Sequence, residues 1–233
     1  ASLDERRRVV AFEPQLGYFG AAMANLRRFP NASVYPLALA DREELLEVAE
    51  IQPDRIANYG ALDLSKARHA DRQHPAAATT IDDFLRRQGL VPDLIKIDVE
   101  GMEAEVLRGA RRTLARFKPI LYVENDSVDK SPELVSLLED SGYRCYWHLP
   151  GYASSNNYFE STEQMFPVAF VDRGDTYLDA IGGAVNLLCV HASLGMPVER
   201  LRPLTDREEH PFKREYVHLF SGSGDAAVPV IKG

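Results

Sequence analysis

Three short, mostly apolar runs of this chain each end in an acidic residue. The runs, each with its acid, are Val9–Phe12 and Glu13, Leu94–Ile97 and Asp98, and Ile120–Val123 and Glu124. Runs of this length and character are typical of strands buried on both faces, as in a parallel sheet. Apolar residues at helical spacing separate them, so the pattern predicts an α/β fold with a doubly wound, mostly parallel sheet.

The remaining elements follow from local spacing. Helices are predicted over 15–28, after the capping box that Thr80 and Asp83 form, in one long helix from Gly101 to Pro119, and from Ser131 onward. Further strands are predicted over 33–39, 45–51, 143–149 and 185–191. No helix separates the last two, which predicts an antiparallel edge strand. The pattern indicates one domain over 1–195 and an irregular tail over 196–233.

Composition excludes several classes of partner. The net charge is −8 and no block of five or six basic residues occurs, which argues against a nucleic acid or an anionic membrane surface. No stretch approaches 18 consecutive apolar residues, so no membrane span is predicted. Cys145 and Cys189 each lie in an apolar segment, which favours reduced thiols and a cytoplasmic location.

The acids at the strand ends are the candidate site. Ligands of open parallel sheets bind beyond the carboxyl ends of the strands, so we expect these acids to converge on one negatively charged crevice. A cation, a proton or hydroxyl donors must then offset their repulsion. Glu13 suits the carboxylate that accepts hydrogen bonds from ribose hydroxyls, in NAD and S-adenosylmethionine enzymes alike. The alternative is a solvated strand-end carboxylate.

Other candidates have a structural alternative. Asp98 and Glu100 could stabilise the dipole of the following helix, which explains Glu100 better than Asp98. Lys96 could pair with one of these acids. His148, at the end of a predicted strand, could take a proton from a substrate hydroxyl, or could have a purely structural role beside Trp147. His69 and His74 have no partner at ligand spacing, so no metal site is predicted from them.

The string Asp93–Glu103, which reads DLIKIDVEGME, resembles the signature of the FkbM-type methyltransferases. Similar segments follow the family's order at 10–15, 25–26, 38–41, 58–60, 80–83, 106–110 and 119–124. The resemblance covers roughly residues 9–190. It implies a class I, Rossmann-like methyltransferase that uses S-adenosylmethionine. Such an enzyme usually methylates a hydroxyl oxygen of a sugar, glycan or secondary metabolite.

The resemblance also implies roles for individual residues. Glu13 would hold the cofactor ribose, and Ala40 with Asp41 would flank the adenine. Asp98 and Glu100 would face the methionine end of the cofactor and the acceptor. The catalytic candidates are then three: Asp98, Glu124 and His148. A divalent ion at Asp98, Glu100 or Glu124 is a less favoured alternative, and we predict no metal.

One part of the family pattern is missing from this sequence. The glycine-rich turn after the family's first strand should precede Val9, but Ser2–Arg8 contains no glycine. We therefore expect the first strand and its turn to lie upstream of Ala1. Two other functions stay open, an NAD-dependent oxidoreductase and a catalytically silent interaction module, although the former gives no reason for the turn from Asp98 to Gly101. The acceptor and the oligomeric state have no signal in the sequence.

Overall fold

The computed structural model describes residues 7–49, 73–150, 169–181, 183–220 and 230–232. It has a mixed α/β fold with parallel strands, which confirms the predicted fold class. The chain divides into two compact units. The first unit contains residues 1–92 and 98–117, and the second contains residues 93–97 and 118–233. The segments predicted at 58–60 and around His69 lie outside the described residues.

The elements of the first unit are strands β1 Val9–Phe12, β2 Ala32–Tyr35, β3 Ala38–Leu39, β4 Glu44–Ala49 and β5 Gln73–Thr79, and helices α1 Leu16–Leu26, α2 Ile81–Gln88, α3 Glu103–Arg108 and α4 Arg111–Phe117. The elements of the second unit are strands β6 Leu94–Ile97, β7 Ile120–Glu124, β8 Tyr143–His148, β9 Ala169–Asp172, β10 Asp179–Ile181, β11 Asn186–His191, β12 Arg202–Pro203 and β13 Val230–Lys232, and helix α5 Ser131–Asp140.

The strand predicted over 33–39 is wrong in one respect, because it is two strands in different sheets. β2 pairs in parallel with β1, whereas β3 pairs in parallel with β5. Pro36 lies at the bend between β2 and β3, and its lack of a backbone N–H interrupts a strand ladder.

Strand β5 was not predicted from the sequence. It contains Pro75 and the run Ala76–Ala78, and proline and alanine are both depleted in strands. Antiparallel pairing with the whole of β4 creates this strand. β3 pairs with β5 only at Ala78 and Thr79, beyond the proline, so the missing N–H is tolerated.

Three aromatic rings join β1, β2 and α2 in the first unit. The ring of Phe84 lies 4.7 Å from that of Phe12 and 4.9 Å from that of Tyr35, in edge-to-face geometry that stabilises aromatic pairs. Phe84 belongs to the helix that Thr80 begins, where the side-chain oxygen of Thr80 accepts from the N–H of Asp83 at 3.0 Å. This part of the capping box is confirmed. Because Phe84 of this helix packs on Phe12, the helix fixes the end of β1, where Glu13 follows.

The single helix predicted from Gly101 to Pro119 is wrong, because α3 and α4 are separate helices. A Cβ on Gly109 would overlap the carbonyl oxygen of Ala40, so only glycine lets the helix junction approach that strand end. The carboxylate of Asp82 then caps α4 by accepting from the N–H groups of Arg112 (2.9 Å) and Thr113 (2.7 Å). Both causes are distant in sequence, so the helical periodicity does not reveal them.

The second unit contains a five-stranded sheet of order β12-β8-β11-β7-β6. β6 and β7 are parallel, and β11 is antiparallel to both of its neighbours. The predicted antiparallel pairing of the late strands is therefore confirmed, but β11 lies between β8 and β7 and not at an edge of the sheet. One row of register partners, Ile97, Val123, Leu187 and Trp147, is at most 2% exposed. Because strand residues alternate between faces, this row marks the core face of the sheet.

His210 joins the C-terminal residues to this core. Its Nδ1 accepts from the N–H of Phe212 at 3.1 Å, so the neutral ring carries its proton on Nε2, which donates to the carbonyl oxygen of Asn125 at 3.0 Å. The ring is fully buried and lies edge-on to Trp147. Burial lowers the pKa of His210 from 6.5 to about 4. Residues of the predicted irregular tail thus contribute a core side chain and strand β12.

No helix in the described part of the chain is long and apolar enough to cross a lipid bilayer. Cys145 and Cys189 are buried, free thiols on register-paired positions of β8 and β11.

Replacing Gly109 by alanine should destabilise the protein by about 1–3 kcal/mol, because the added methyl group overpacks the junction against Ala40. Gly20→Ala is the matched control. It meets nothing within 4 Å and lies inside α1, where alanine is favoured over glycine by about 1 kcal/mol. Urea unfolding of both variants measures the difference. Equal midpoints would contradict the close approach of Gly109 to Ala40.

Acidification should lower the free energy of unfolding, because His210 is buried in its neutral form. An unfolded histidine binds a proton near pH 6.5 and the folded one only near pH 4, so the unfolded state holds more protons between these values. The free energy of unfolding should therefore fall as the pH drops from about 6.5 to about 4. His210→Gln should remove this component, whereas His218→Gln, at an exposed site of the same segment, should retain it. An NMR titration that gives His210 a pKa near 6.5 would disprove the assignment.

Candidate active site

Glu13 follows β1 and is held in a tight turn. Its own N–H donates to the carbonyl oxygen of Tyr35, and its Oε1 accepts from the N–H of Gln15 at 2.8 Å. Burial raises the pKa of the Glu13 carboxyl, an effect that the hydrogen bond from Gln15 partly offsets. His74 contacts the same turn, with Nε2 3.2 Å from the carbonyl oxygen of Pro14. The backbone of Glu13 is therefore anchored to β2, and its carboxylate is held by the N–H of Gln15.

Gln15 is a residue that the sequence did not single out. Its side chain is only 8% exposed, and among the described residues no donor reaches its Oε1. A buried polar oxygen without a donor costs about 1–3 kcal/mol unless something else supplies one. Gln15 thus adds a second acceptor two residues after Glu13. Proximity to Glu13 in the sequence is the only signal that could have indicated it.

Ala40 and Asp41, the predicted adenine-flanking pair, differ in accessibility. Ala40 is 1% exposed and packs in the core with Ala38 and Ala78, and its N–H donates to the carbonyl oxygen of Thr79. The Asp41 side chain is 33% exposed and lies 3.7 Å from Arg42. Of the two, Asp41 presents the group that a ligand could reach.

The signature turn from Asp98 to Gly101 has an unusual backbone. Glu100 has φ 52° and Gly101 has φ 92°, so two successive residues adopt left-handed conformations. For a non-glycine residue such as Glu100 this costs about 1–2 kcal/mol. Strained residues of this kind persist only where surrounding groups hold them, and they concentrate at functional sites.

Glu103 is the group that holds this turn. Its side chain is 7% exposed, and its Oε1 accepts from the N–H of Gly101 at 3.0 Å and from the N–H of Val99 at 3.3 Å. Helix α3 begins at Glu103, so this residue, rather than Glu100, lies in the first turn of the helix. The predicted dipole role of Glu100 is therefore not supported by the helix boundary. Asp98 is exposed and Glu100 half-buried.

Glu124 ends β7 in the second unit and belongs to a polar row. Asn186 of β11 is the register partner of both Glu124 and His148, so three polar side chains follow one another across three strands. Asn186 is buried. The sequence predicted the strand that contains it but no role for it. The register also pairs Ile97 with Val123, the residue before Glu124.

His148 is hydrogen bonded to Tyr122, a residue for which the sequence predicted no role. The phenolic oxygen lies 2.7 Å from Nδ1 of the imidazole, and both side chains are half-buried. Burial lowers the pKa of His148, so the ring is neutral near pH 7. Trp147 contacts His210 and Phe220 on the core face instead, so His148 does not serve as its packing partner.

The predicted convergence of the acids stays a prediction. Asp98 and Glu100 belong to the first unit, whereas Glu124 and His148 belong to the second. Lys96, on β6, is exposed and is the register partner of Tyr122. Each unit by itself therefore presents polar side chains at the strand ends that the sequence indicated.

Residues 1–145 match the family described as Methyltransferase FkbM domain. The chain is similar to methyltransferase FkbM from Methylobacillus flagellatus KT, with 17% identity and a TM-score of 0.39, covering 78% of this chain and 36% of that one. It is also similar to precorrin-6y C5,15-methyltransferase from Geobacter metallireducens GS-15, with 15% identity and a TM-score of 0.39, covering 78% and 68%. No curated protein matches the sequence. The chain thus spans about a third of the length of the first of these structures.

Replacing Glu103 by alanine should destabilise the signature turn, because two backbone N–H groups lose a charged acceptor worth about 1.5–3 kcal/mol. Glu105→Ala in the same helix should cost less than about 0.5 kcal/mol, since among the described residues that carboxylate makes one solvent-accessible ion pair, with Arg108. Amide hydrogen exchange at Val99 and Gly101 measures the local effect. Unchanged protection of both amides in Glu103→Ala would disprove the role of this carboxylate.

Proposed function

The chain belongs to the FkbM methyltransferase domain family, and from this premise we propose that it is an S-adenosylmethionine-dependent O-methyltransferase. The proposed acceptor is a hydroxyl group of a sugar, a glycan or a secondary metabolite. The observation that carries the proposal is the family match over residues 1–145, which spans Glu13, Asp41, Asp98, Glu100 and Glu124. His148 lies just beyond the match, so its role rests on geometry and chemistry.

The residues of the first unit fit the ribose of the cofactor. Among the described residues, only the N–H of Gln15 donates to the Glu13 carboxylate, and it uses one oxygen. The other Glu13 oxygen and the buried Oε1 of Gln15 are acceptors that two ribose hydroxyls could satisfy. We assign Asp41 and the Ala40 backbone to the adenine. The half-buried position of Glu13 strengthens such hydrogen bonds, because the local dielectric constant is lower than that of water.

We assign the charged end of the cofactor to Asp98 and Glu100. When bound, S-adenosylmethionine supplies a methyl group on a positively charged sulfur. Carboxylates suit a ligand that carries a sulfonium and an ammonium charge, and the Glu103 carboxylate holds the turn that presents them. A turn that is fixed before the ligand arrives loses little conformational entropy on binding.

His148 is the proposed general base. A neutral imidazole can take the proton of an acceptor hydroxyl as its oxygen becomes nucleophilic, and burial keeps this imidazole neutral near pH 7. We assign the orientation of that hydroxyl to Asp98 and Glu124. Methyl transfer depends mainly on positioning the two reactants, so oriented side chains supply most of what the protein must contribute.

Calorimetric titration of the full chain tests the cofactor assignment. S-adenosylmethionine should bind, and Glu13→Gln should weaken binding about tenfold or more, since a hydrogen bond to a charged group contributes about 1.5–3 kcal/mol. Glu47→Gln is the matched control, because Glu47 is exposed on β4.

Three outcomes would overturn the proposal. Absence of S-adenosylmethionine binding would remove its basis and favour an interaction module. Binding of NAD in its place would favour an oxidoreductase. Equal loss of affinity in Glu13→Gln and Glu47→Gln would show that Glu13 does not contact the ribose.

A further inference from the structure

We propose that Tyr122 is a positioning residue for His148. Its phenolic oxygen accepts a hydrogen bond from the Nδ1–H of the imidazole and leaves the lone pair of Nε2 for the proton of the acceptor hydroxyl. This inference rests on the proposed function, because that function makes His148 the general base. It adds a residue and a tautomer that neither the sequence nor the family comparison indicates.

The bond between the two side chains bridges a strand. Tyr122 lies on β7 and His148 on β8, with β11 between them. Tyr122 pairs with Leu188, and Leu188 pairs with Tyr146, two residues before His148. Because side chains two residues apart share a face, Tyr122 and His148 project from the same side of the sheet. Their 2.7 Å contact therefore crosses β11, at the end where Asn186 begins that strand.

The opposite face of the sheet fixes this geometry. Leu121 and Val123 flank Tyr122 in β7 and are fully buried, and Trp147 precedes His148 in β8 and is buried as well. A strand whose alternate residues are packed in this way cannot slide or rotate without exposing them. The phenol and the imidazole are consequently held at hydrogen-bond distance before any ligand binds.

The tautomer decides whether the imidazole can act as a base. A neutral ring has one N–H and one lone pair. If the Tyr122 hydroxyl donated to Nδ1, Nε2 would carry the hydrogen and could only donate. If Nδ1–H donates to the Tyr122 oxygen, Nε2 can accept the substrate proton, and the bond to Tyr122 persists in the imidazolium that forms. Only the second arrangement suits the proposed role, and it is the one we assign.

Several titratable and charged groups lie on the strands and the helix that surround His148. By register and alternation, the same sheet face carries Lys96 of β6, Glu124 of β7, and Arg144 and Tyr146 of β8, while Asn186 and Leu188 of β11 are uncharged. On β12, Pro203 pairs with Tyr146, and Arg202 bonds to Glu209. Helix α5 also packs on β8, and its Glu139 and Asp140 pair with Arg207.

Removing the Tyr122 oxygen should lower the pKa of His148. An acceptor for Nδ1–H stabilises the imidazolium more than the neutral ring, so its loss favours the neutral form. The opposite tautomer predicts the opposite sign, because a donating hydroxyl stabilises the neutral ring. The direction of the shift therefore separates the two arrangements.

Nitrogen-15 NMR of the full chain without ligand is the direct test. The wild-type spectrum, assigned with His148→Gln, should show His148 protonated on Nδ1 and not on Nε2. In Tyr122→Phe the pKa of His148 should fall by about 0.5–1 unit. Tyr146→Phe is the matched control and should leave it unchanged, since the Tyr146 hydroxyl makes no hydrogen bond within the described residues.

Two results would overturn the inference. The first is a wild-type His148 with its proton on Nε2, which needs no variant and so does not depend on the folding of Tyr122→Phe. The second is a His148 pKa that rises or stays constant in Tyr122→Phe.

Titration of the same variants with S-adenosylmethionine separates this inference from the proposed function. Tyr122→Phe should bind the cofactor as the wild type does, because the proposed role of Tyr122 is to position His148 and not to contact the cofactor. A wild type that shows the expected His148 tautomer but binds no cofactor would refute the proposed methyltransferase function and leave the Tyr122–His148 hydrogen bond as assigned. A wild type that binds cofactor but carries the His148 proton on Nε2 would refute the positioning role of Tyr122 and leave the proposed function intact.

Discussion

The pairing of β11 between β7 and β8 determines which side chains of the second unit can meet. Strand residues alternate between faces, so a shift of one residue would turn Trp147, Leu187 and Val123 out of the core. Burial of each such side chain contributes about 1.5–3 kcal/mol, and a shifted register would lose several of these terms at once. The core face therefore fixes the positions of Tyr122 and His148 on the other face, although neither contributes much to the core.

The acidic residues divide into two groups by what their carboxylates bind. Glu103 and Asp82 each accept two backbone N–H groups and serve to hold a turn or to start a helix. Glu13, in contrast, accepts one N–H through one oxygen. A carboxylate that already accepts two backbone N–H groups has less capacity for a ligand, so the number of acidic residues overstates the acids available for binding.

Local pattern was sufficient for the fold class, the strand ends and the start of α2, because each depends on a few adjacent residues. The local pattern failed where a residue distant in sequence determines the local structure. The helix break at Gly109 depends on Ala40, and β5 forms only because β4 pairs with it. The capping box was only partly right, since Asp83 directs its carboxylate to Arg86 and Arg112. The same limit applies to the site: Glu13 was visible as a strand-end acid, whereas Tyr122 depends on sheet register and Glu103 on a left-handed turn.

Two histidines of the second unit, the buried His210 and the half-buried His148, show how a hydrogen-bond partner decides between a structural and a chemical role. Burial lowers the pKa of both, so each is neutral near pH 7. His210 has a backbone N–H at Nδ1 and a carbonyl oxygen at Nε2, which permit one tautomer and leave no lone pair for a substrate. His148 has a hydroxyl at Nδ1, which can donate or accept. A proton that arrives at His210 breaks a hydrogen bond to the backbone, whereas Tyr122 can keep its bond to His148 in both protonation states. Of the two, only His148 is therefore suited to repeated proton transfer.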